Sequence, residues 1–243
     1  MPANDDNPFE AMIRKLGRLR ALNDAEKQAI YSLPFRTELA TAGQHLVREG
    51  DRVTECCLLM DGYAFRYKLT RGGARQIVSF HMAGDMLDVQ HLMLQRADHS
   101  VMANTAGTVA WVAAQDIREL LQAYPAINEA LWRDSLIDAS IFREWVLNVG
   151  RRDAKERIAH MLCEFAARRE AAGLGGPERF ELPMTQEEVA DATGLTSVHV
   201  NRMLHVLEDE GVIVRQKRHF QIADWPRMQR VADFDPAYLH AAA

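Results

Sequence analysis

The fold is decided by the stretch TQEEVADATGLTSVHVNRML, residues 185–204. Thr185 and Glu188 form the capping-box pattern that begins a helix, because each side chain is placed to bond a free backbone N–H. Gly194 supplies a tight turn, and Thr196 is placed to cap a second helix. The stretch therefore predicts two helices joined by a short turn, the helix-turn-helix arrangement found in DNA-binding proteins.

The second of these helices has an inward and an outward face. Val200, Leu204 and Leu207 recur at helical spacing and are predicted to pack inward. Besides the capping residues Thr185 and Thr196, the predicted DNA-contacting residues of the outward face are Ser197, Val198, His199, Asn201 and Arg202. Arg202 is predicted to donate to guanine O6 and N7 together, and Val198 to contact a thymine methyl group. The alternative for Arg202 is a solvated surface arginine.

A basic turn follows the two helices. Apolar runs at 212–214 and 220–222 flank Arg215, Lys217 and Arg218, which predicts a two-stranded hairpin with a cationic tip. Such a wing is expected to lie along a phosphate backbone. The alternative is a turn whose cations are only solvated.

The N-terminal half has a different texture. A helix is predicted over residues 9–31, and short β-type runs separated by glycine turns follow between Thr37 and Ala114. The predicted strands are Cys56–Met60, Ala64–Leu69, Gln76–Phe80 and Val109–Val112. This pattern favours an antiparallel sandwich or roll, so the fold class is α+β.

A long helix is predicted to connect the two halves. Pro125 is suited to its first turn, and the segment Ala126–Asn148 contains no breaker. Its apolar stripe consists of Ile127, Ala130, Leu131, Ile137, Ile141 and Trp145. We expect this stripe to pair with the same helix of a second copy, the alternative being packing against its own roll. The helix is predicted to stop at 148–150, before another over Asp153–Glu170.

Three regions result. Residues 1–124 are a helix and β-roll sensor domain, 125–150 a dimerisation helix and hinge, and 151–243 a winged helix-turn-helix domain. After the hinge helix the chain is predicted to be helical up to Glu210, and a polar tail follows the wing.

Composition points to an ordinary water-soluble protein. Apolar residues make up 48% of the chain and charged residues 26%, with a net charge of −5. The acidic N-terminus lacks the features of an export signal and no apolar run spans a bilayer, so we expect a cytoplasmic protein without membrane contact. Cys56, Cys57 and Cys163 have no disulfide or metal spacing and are expected to be buried thiols.

The roll, the long helix and residues 185–222 together resemble the Crp/Fnr family of bacterial transcription regulators over about the whole chain. The most specific stretch is 185–204, followed by LEDEGVI at 207–213. The Gly84–Asp85 corner and the segment 148–159 are further landmarks. The resemblance implies a homodimer on an inverted-repeat site in double-stranded DNA, contact with RNA polymerase, and an effector in the roll.

The cyclic-AMP branch of this family uses an acidic residue after the corner glycine for the ribose, and an Arg-Ser or Arg-Thr pair for the phosphate. Asp85 and Ser100 match, but His99 stands at the arginine position. Phe142 and Arg143 stand where the adenine contacts are expected. A neutral imidazole is a poor substitute for a guanidinium, so the resemblance implies an effector pocket for a molecule other than cyclic AMP.

Two cofactor branches of the family remain. The iron-sulfur branch requires a cysteine cluster near the N-terminus, which this sequence lacks. The haem branch uses an N-terminal proline and a histidine after the corner. Pro2 and His91 are the candidates here, although His91 is offset by one residue from the pattern. The alternative for His91 is a solvated loop histidine.

Other classes of function have less support. A cupin-like metal enzyme would draw on His45, His81, His91 and His99, but the chain has no HxH pair, so no catalytic or metal site is predicted.

In the recognition helix, Val198 replaces the family's usual glutamate, which predicts an altered half-site. A roll that serves only as a ligand-independent scaffold is the other alternative.

Overall fold

The computed structural model describes residues 7–94 and 96–240. The chain separates into two compact units. The first contains the chain up to Tyr67 and the segment from Phe80 to Asp138, and the second contains Lys68–Ser79 and the chain from Ala139 onward.

The first unit begins with two helices where the sequence predicts one. Helix α1 is Glu10–Leu19 and helix α2 is Asp24–Tyr31. The break occurs because Asn23 and Glu26 form a capping box: the Glu26 backbone N donates to Asn23 Oδ1 over 3.0 Å, and the Asn23 backbone N donates to Glu26 Oε2 over 2.7 Å. The prediction of one helix over 9–31 is therefore wrong.

Two sheets form the roll, which confirms the predicted fold class. Its strands are β1 Arg36–Ala40, β2 His45–Val47, β3 Glu55–Leu59, β4 Tyr63–Leu69, β5 Arg75–Met82, β6 Ser100–Ala103 and β7 Gly107–Ala113. One sheet has the order β1-β7-β3 and the other β2-β6-β4-β5. The strands β1, β2 and β6 were not predicted, because β2 and β6 have only three and four residues and β1, RTELA, is largely polar.

The roll is filled from two sides. Between the sheets lies an apolar cluster that includes Val47, Cys57, Leu59, Leu87, Val101 and Val109. A second cluster joins Leu16 of α1 to Leu58 and Val112 of the β1-β7-β3 sheet. All three cysteines are buried free thiols, as predicted. At the corner, Gly84 has a φ of +94°, and an added Cβ there would lie 2.9 Å from the Ala11 carbonyl oxygen. Only glycine therefore lets α1 approach this corner closely.

Helix α3 is Ala114–Ala123, and the long helix α4 is Pro125–Arg151, with proline in its first turn as predicted. The predicted stop at 148–150 is wrong, because Asn148 is buried and its Nδ2 donates to the Arg157 carbonyl oxygen over 3.2 Å. Helix α5 is Ala154–Ala171, which confirms the helix predicted over Asp153–Glu170, and the Asp153 side chain caps it.

The predicted dimerisation stripe of α4 packs inside its own chain. Ile127, Ala130 and Leu131 belong to the core of the first unit. Ile141 and Trp145 are also buried, 5% and 8% exposed. The expectation that this stripe faces a second copy is therefore wrong for these five residues, and the alternative of packing against its own roll holds for the first three; the sixth, Ile137, is half-buried.

The second unit contains α5, the helix-turn-helix and a small sheet. Its further elements are β8 Arg179–Glu181, α6 Gln186–Thr193, α7 Ser197–Asp209, β9 Ile213–Gln216, β10 His219–Ile222 and α8 Trp225–Val231. The sheet order is β8-β10-β9, so the predicted two-stranded wing is present as β9 and β10, and β8 pairs with β10 as a third strand. Because β8 lies between α5 and α6, the prediction of a chain that is helical up to Glu210 is wrong.

The predicted polar tail is folded. It contains α8 and a 3-10 turn, Pro236–Leu239, and buries Met228 and Leu239. The Tyr238 hydroxyl donates to Glu164 Oε2 over 2.8 Å, and Trp145 Nε1 donates to the same carboxylate over 3.0 Å. These bonds hold the tail against α5.

Candidate nucleic-acid interface and effector pocket

The start of α6 has the predicted capping box. The Glu188 backbone N donates to Thr185 Oγ1 over 3.2 Å, and the Thr185 backbone N donates to Glu188 Oε2 over 2.7 Å. The other end of α6 is closed by Gly194 in the left-handed conformation, with a φ of +67°. Because a side chain is strained there, glycine sets the turn that directs the chain into α7.

Helix α7 is anchored on its inner side. Thr196 caps it by accepting from the His199 backbone N over 3.2 Å. Val200, Leu204 and Leu207 are at most 3% exposed, which confirms the predicted inward face. The orientation of the helix about its axis is therefore fixed by packing.

The outward face of α7 presents the predicted contact residues to solvent. Ser197 and Arg202 are exposed, and Val198 is 79% exposed although it is apolar. His199 and Asn201 are half-buried, and Asn201 Oδ1 accepts from Gln186 Nε2 over 3.1 Å. The face thus offers a hydroxyl, an isolated methyl surface and a guanidinium fork, which together match the chemical groups of major-groove base edges.

The wing is the hairpin of β9 and β10, and residues 217–218 form its turn. Lys217 has a left-handed φ of 57°, and Lys217 and Arg218 are both exposed at the tip. Phe220 is buried and stacks on Phe180 of β8, with ring centroids 5.8 Å apart. Burial of one face of the hairpin therefore fixes the position of its cationic tip.

Arg215 lies away from this tip. Its guanidinium contacts the Glu208 carboxylate at 3.2 Å, and its side chain is 14% exposed. Arg215 therefore links β9 to α7. Of the three predicted cations of the wing, Lys217 and Arg218 are the two that face solvent at the tip.

The predicted effector pocket begins at Asp85, and its carboxylate is already occupied. Lys15 Nζ lies 2.8 Å from Asp85 Oδ1 and 2.7 Å from Asp134 Oδ1. Burial lowers the pKa of Lys15, but the charges of Asp134 and Asp85 outweigh it and hold the pKa above its usual value. Lys15 therefore stays charged and pairs with one oxygen of the Asp85 carboxylate.

The phosphate side of the pocket carries no cation at His99. His99 Nδ1 lies 2.6 Å from Asp98 Oδ1, and its Nε2 lies 3.1 Å from Gln90 Nε2. Burial lowers the pKa of His99 to about 4, so the imidazole is neutral at neutral pH. Ser100 Oγ accepts from the Glu49 backbone N over 3.0 Å. Phe142 and Arg143, the predicted adenine contacts, belong to the second unit.

Sequence reasoning missed the ion pairs of the pocket. Besides Lys15, Arg66 is 5% exposed, and its guanidinium donates to Asp138 Oδ2 over 2.8 Å and to the Leu87 carbonyl oxygen over 3.0 Å. The partners are 72 positions apart in the Arg66 pair and 70 in the Lys15–Asp85 pair. No local pattern in the sequence indicates either.

The histidines of the rejected cupin hypothesis do not form one centre. His45 Nε2 lies 2.8 Å from the Tyr67 hydroxyl, and His81 Nδ1 lies 3.4 Å from Asp85 Oδ2. His91 is 2% exposed, so it is a buried residue and the alternative of a solvated loop histidine is wrong. Pro2, the other residue of the haem hypothesis, lies outside the described residues.

A nucleotide-binding-type roll, a long helix and a winged helix-turn-helix define a class of DNA-binding transcription regulators. Residues 38–124 match the cyclic nucleotide-binding domain model, and residues 156–231 match the Crp-like helix-turn-helix domain model. Within residues 7–94 and 96–240, no helix is both long and apolar enough to cross a membrane.

Individual relatives agree with these models. The chain is 32% identical over 198 residues to transcriptional activator protein FnrL of Cereibacter sphaeroides, covering 80% of this chain and 79% of that protein. It is 27% identical over 223 residues to nitrogen fixation regulation protein FixK of Bradyrhizobium diazoefficiens, covering 92% of each. The chain belongs to the Crp/Fnr family of transcription regulators.

The structure of FixK2 from Bradyrhizobium japonicum has the same fold, with a TM-score of 0.74 at 22% identity. The match covers 82% of this chain and 98% of that chain.

Proposed function

We propose that this regulator acts in the cytoplasm as a homodimer, binds an inverted-repeat site in double-stranded DNA and contacts RNA polymerase. The observation that carries the proposal is the outward face of α7. Val198 is 79% exposed there and lies one turn before the exposed Arg202, while the opposite face of the helix is buried. An exposed apolar side chain is unfavourable in water but favourable against a thymine methyl group.

Each contact has a definite role in the proposed complex. Arg202 reads guanine through its two-pronged donor, and Val198 reads thymine. Ser197, His199 and Asn201 bond to base edges or phosphates. Thr185 and Thr196 stand at helix N-termini, where backbone N–H groups favour phosphate oxygens. Lys217 and Arg218 contact the backbone beside the groove.

The proposed dimer uses a second face of α4. Exposed or half-buried residues recur at steps of four and three, which is the spacing of a two-helix seam. We call this face the α4 stripe; it consists of Trp132, Leu136, Ala139, Arg143 and Val146. Trp132 is 65% exposed, Leu136 51% and Val146 74%. Three large apolar side chains aligned in this way support a helix-to-helix interface.

The effector that we propose is not cyclic AMP. Lys15 forms an ion pair with Asp85, and the neutral His99 supplies no positive charge for a phosphate. A bidentate guanidinium would be the natural phosphate ligand at that position.

A site-selection experiment tests DNA reading. Protein is incubated with random double-stranded DNA, and the enriched half-site is compared between the wild type and Arg202→Ala. We expect the variant to lose preference at one guanine per half-site, a discrimination of about 1–3 kcal/mol, and to retain salt-sensitive binding. Arg14→Ala, which removes an exposed arginine of α1, is the matched control. An unchanged selected site for Arg202→Ala would refute the assignment.

A further inference from the structure

A cluster of ligand-type side chains lies in the loop between a 3-10 turn, Val89–Leu92, and β6. His91, Asp98 and His99 each offer one nitrogen or oxygen atom, and these atoms all lie within 4.8 Å of one another. His91 and His99 are not adjacent in sequence, and the fold of the loop brings them together.

His91 is the most informative member. Its side chain is 2% exposed, and neither ring nitrogen has a hydrogen-bond partner among residues 7–94 and 96–240. Burying a polar group without a partner is unfavourable by roughly 1–3 kcal/mol. A buried imidazole with a free lone pair therefore indicates that a group outside the chain completes the site.

The imidazoles of His91 and His99 are stacked neighbours. Their ring centroids are 5.5 Å apart with an interplanar angle of 21°. Two imidazoles on one tetrahedral ion, with metal–nitrogen bonds of about 2.0–2.1 Å, have centroids roughly 5 Å apart.

Asp98 fixes the tautomer of His99. Because its carboxylate lies 2.6 Å from His99 Nδ1, the proton resides on Nδ1 and the lone pair on Nε2. Gln90 Nε2, an amide donor 3.1 Å away, contacts that lone pair and would be displaced by a metal ion. A carboxylate that orients a ligating histidine is typical of metal sites. Asp98 is 72% exposed at its side chain, so the cluster opens to solvent.

The donor set selects the class of ion. Calcium and magnesium prefer sites made of oxygen ligands alone, whereas imidazole suits zinc, iron, nickel and copper. Two histidines fill two positions around such an ion and leave the others open for water or a small molecule.

We propose that His91 and His99 bind one divalent transition-metal ion per protomer, with Asp98 orienting His99, and that this ion is the effector of the roll. The second part rests on the proposed DNA-binding function. The three residues lie within 38–124, the segment that matches the cyclic nucleotide-binding domain model.

The first experiment measures metal binding without DNA. Full-length protein is treated with a chelator, dialysed and titrated with Zn²⁺ by calorimetry, and with Co²⁺ by visible absorption, which reports tetrahedral coordination. We expect one ion per protomer, and affinity at least about 100-fold lower for His91→Ala and for His99→Ala. His205→Ala removes an exposed histidine of α7 and should bind as the wild type does.

Absence of Zn²⁺ binding, or equal binding by the two ligand variants, would overturn the site. So would a haem absorption band that depends on His91 in protein that takes up no Zn²⁺. Circular dichroism and thermal unfolding of each variant show whether a loss of binding reflects a loss of fold.

The second experiment measures affinity for the selected DNA with and without Zn²⁺. We expect the ion to change wild-type affinity at least 5-fold and to leave the His99→Ala affinity unchanged. If metal binds and DNA affinity does not change, the ion is not the effector. If neither form binds any DNA, the proposed function fails while the metal titration stands.

Discussion

Replacing Trp132 by alanine should dissociate the proposed homodimer. The side chain is 65% exposed in one protomer. A tryptophan side chain can bury at most about 250 Å², so about 160 Å² is available to a partner. At about 25 cal/mol per Å², covering that area contributes up to about 4 kcal/mol per copy. A central aromatic residue of an interface contributes at least about 2 kcal/mol.

Because both protomers lose the side chain, the dimer should weaken by about 4–8 kcal/mol, which is at least about a thousandfold in its dissociation constant. Sedimentation velocity over a wide concentration range measures that constant, and the same samples report affinity for the inverted repeat. Leu39→Ala, at an 80% exposed position of β1, removes a comparable apolar surface outside the α4 stripe. If Trp132→Ala and Leu39→Ala dimerise equally well, α4 does not form the interface in the way proposed.

Three further changes test other parts of the molecule. Lys217→Ala combined with Arg218→Ala should reduce the salt dependence of DNA binding, log K against log salt, by about 3–4 for a dimer, and an unchanged slope would exclude phosphate contact. Thr185→Ala removes the α6 cap and should lower the melting temperature by about 3 °C; no shift would mean the cap is dispensable. Glu164→Leu leaves two buried donors without their acceptor and should lower the free energy of unfolding by about 3 kcal/mol in urea titrations, with exposed Glu178→Leu as control. Burial raises the pKa of Glu164 above its usual value of about 4.5, so folding stabilises the protonated carboxyl, and this stabilisation is lost as the pH rises above 4.5. The wild type should therefore lose stability relative to Glu164→Gln as the pH rises through that range. A stability difference that does not change with pH would contradict the raised pKa.

The helix-turn-helix was predictable because local chemistry specifies it. Thr185, Gly194 and Thr196 act on their immediate neighbours, and the structure has each bond in the predicted place. The stop of α4 was mispredicted for the opposite reason. Gly150 weakens a helix locally, but the burial of Asn148 and its bond to Arg157 carry α4 onward to Arg151.

Periodicity on α4 predicted an apolar face but not the surface that it packs against. Ile127 and Leu131 satisfy helical spacing equally well against their own roll or against a second copy. The exposed stripe containing Trp132 and Val146 is interrupted by Arg143, so it is less evident in the sequence than the buried stripe. The metal-type cluster was missed because only the fold of the 91–99 loop brings its ligands together.

The charges around Asp85 and His99 decide which kind of effector the proposed pocket would bind. A cyclic nucleotide needs an acceptor for its ribose and positive charge for its phosphate. Here Lys15 engages the acceptor, Asp85, through a 2.8 Å ion pair. At the position predicted for the phosphate, His99 carries a lone pair on Nε2, and the Asp98 carboxylate beside its Nδ1 is negatively charged. The lone pair of His99 and the charge of Asp98 favour a cation over a phosphate, whereas the buried Arg66 guanidinium acts in the opposite direction on both histidines. The substitution His99→Arg would therefore replace a metal-binding nitrogen with a positive charge. We expect this variant to lose Zn²⁺ binding and to gain no cyclic-AMP site, because Lys15 remains paired with Asp85.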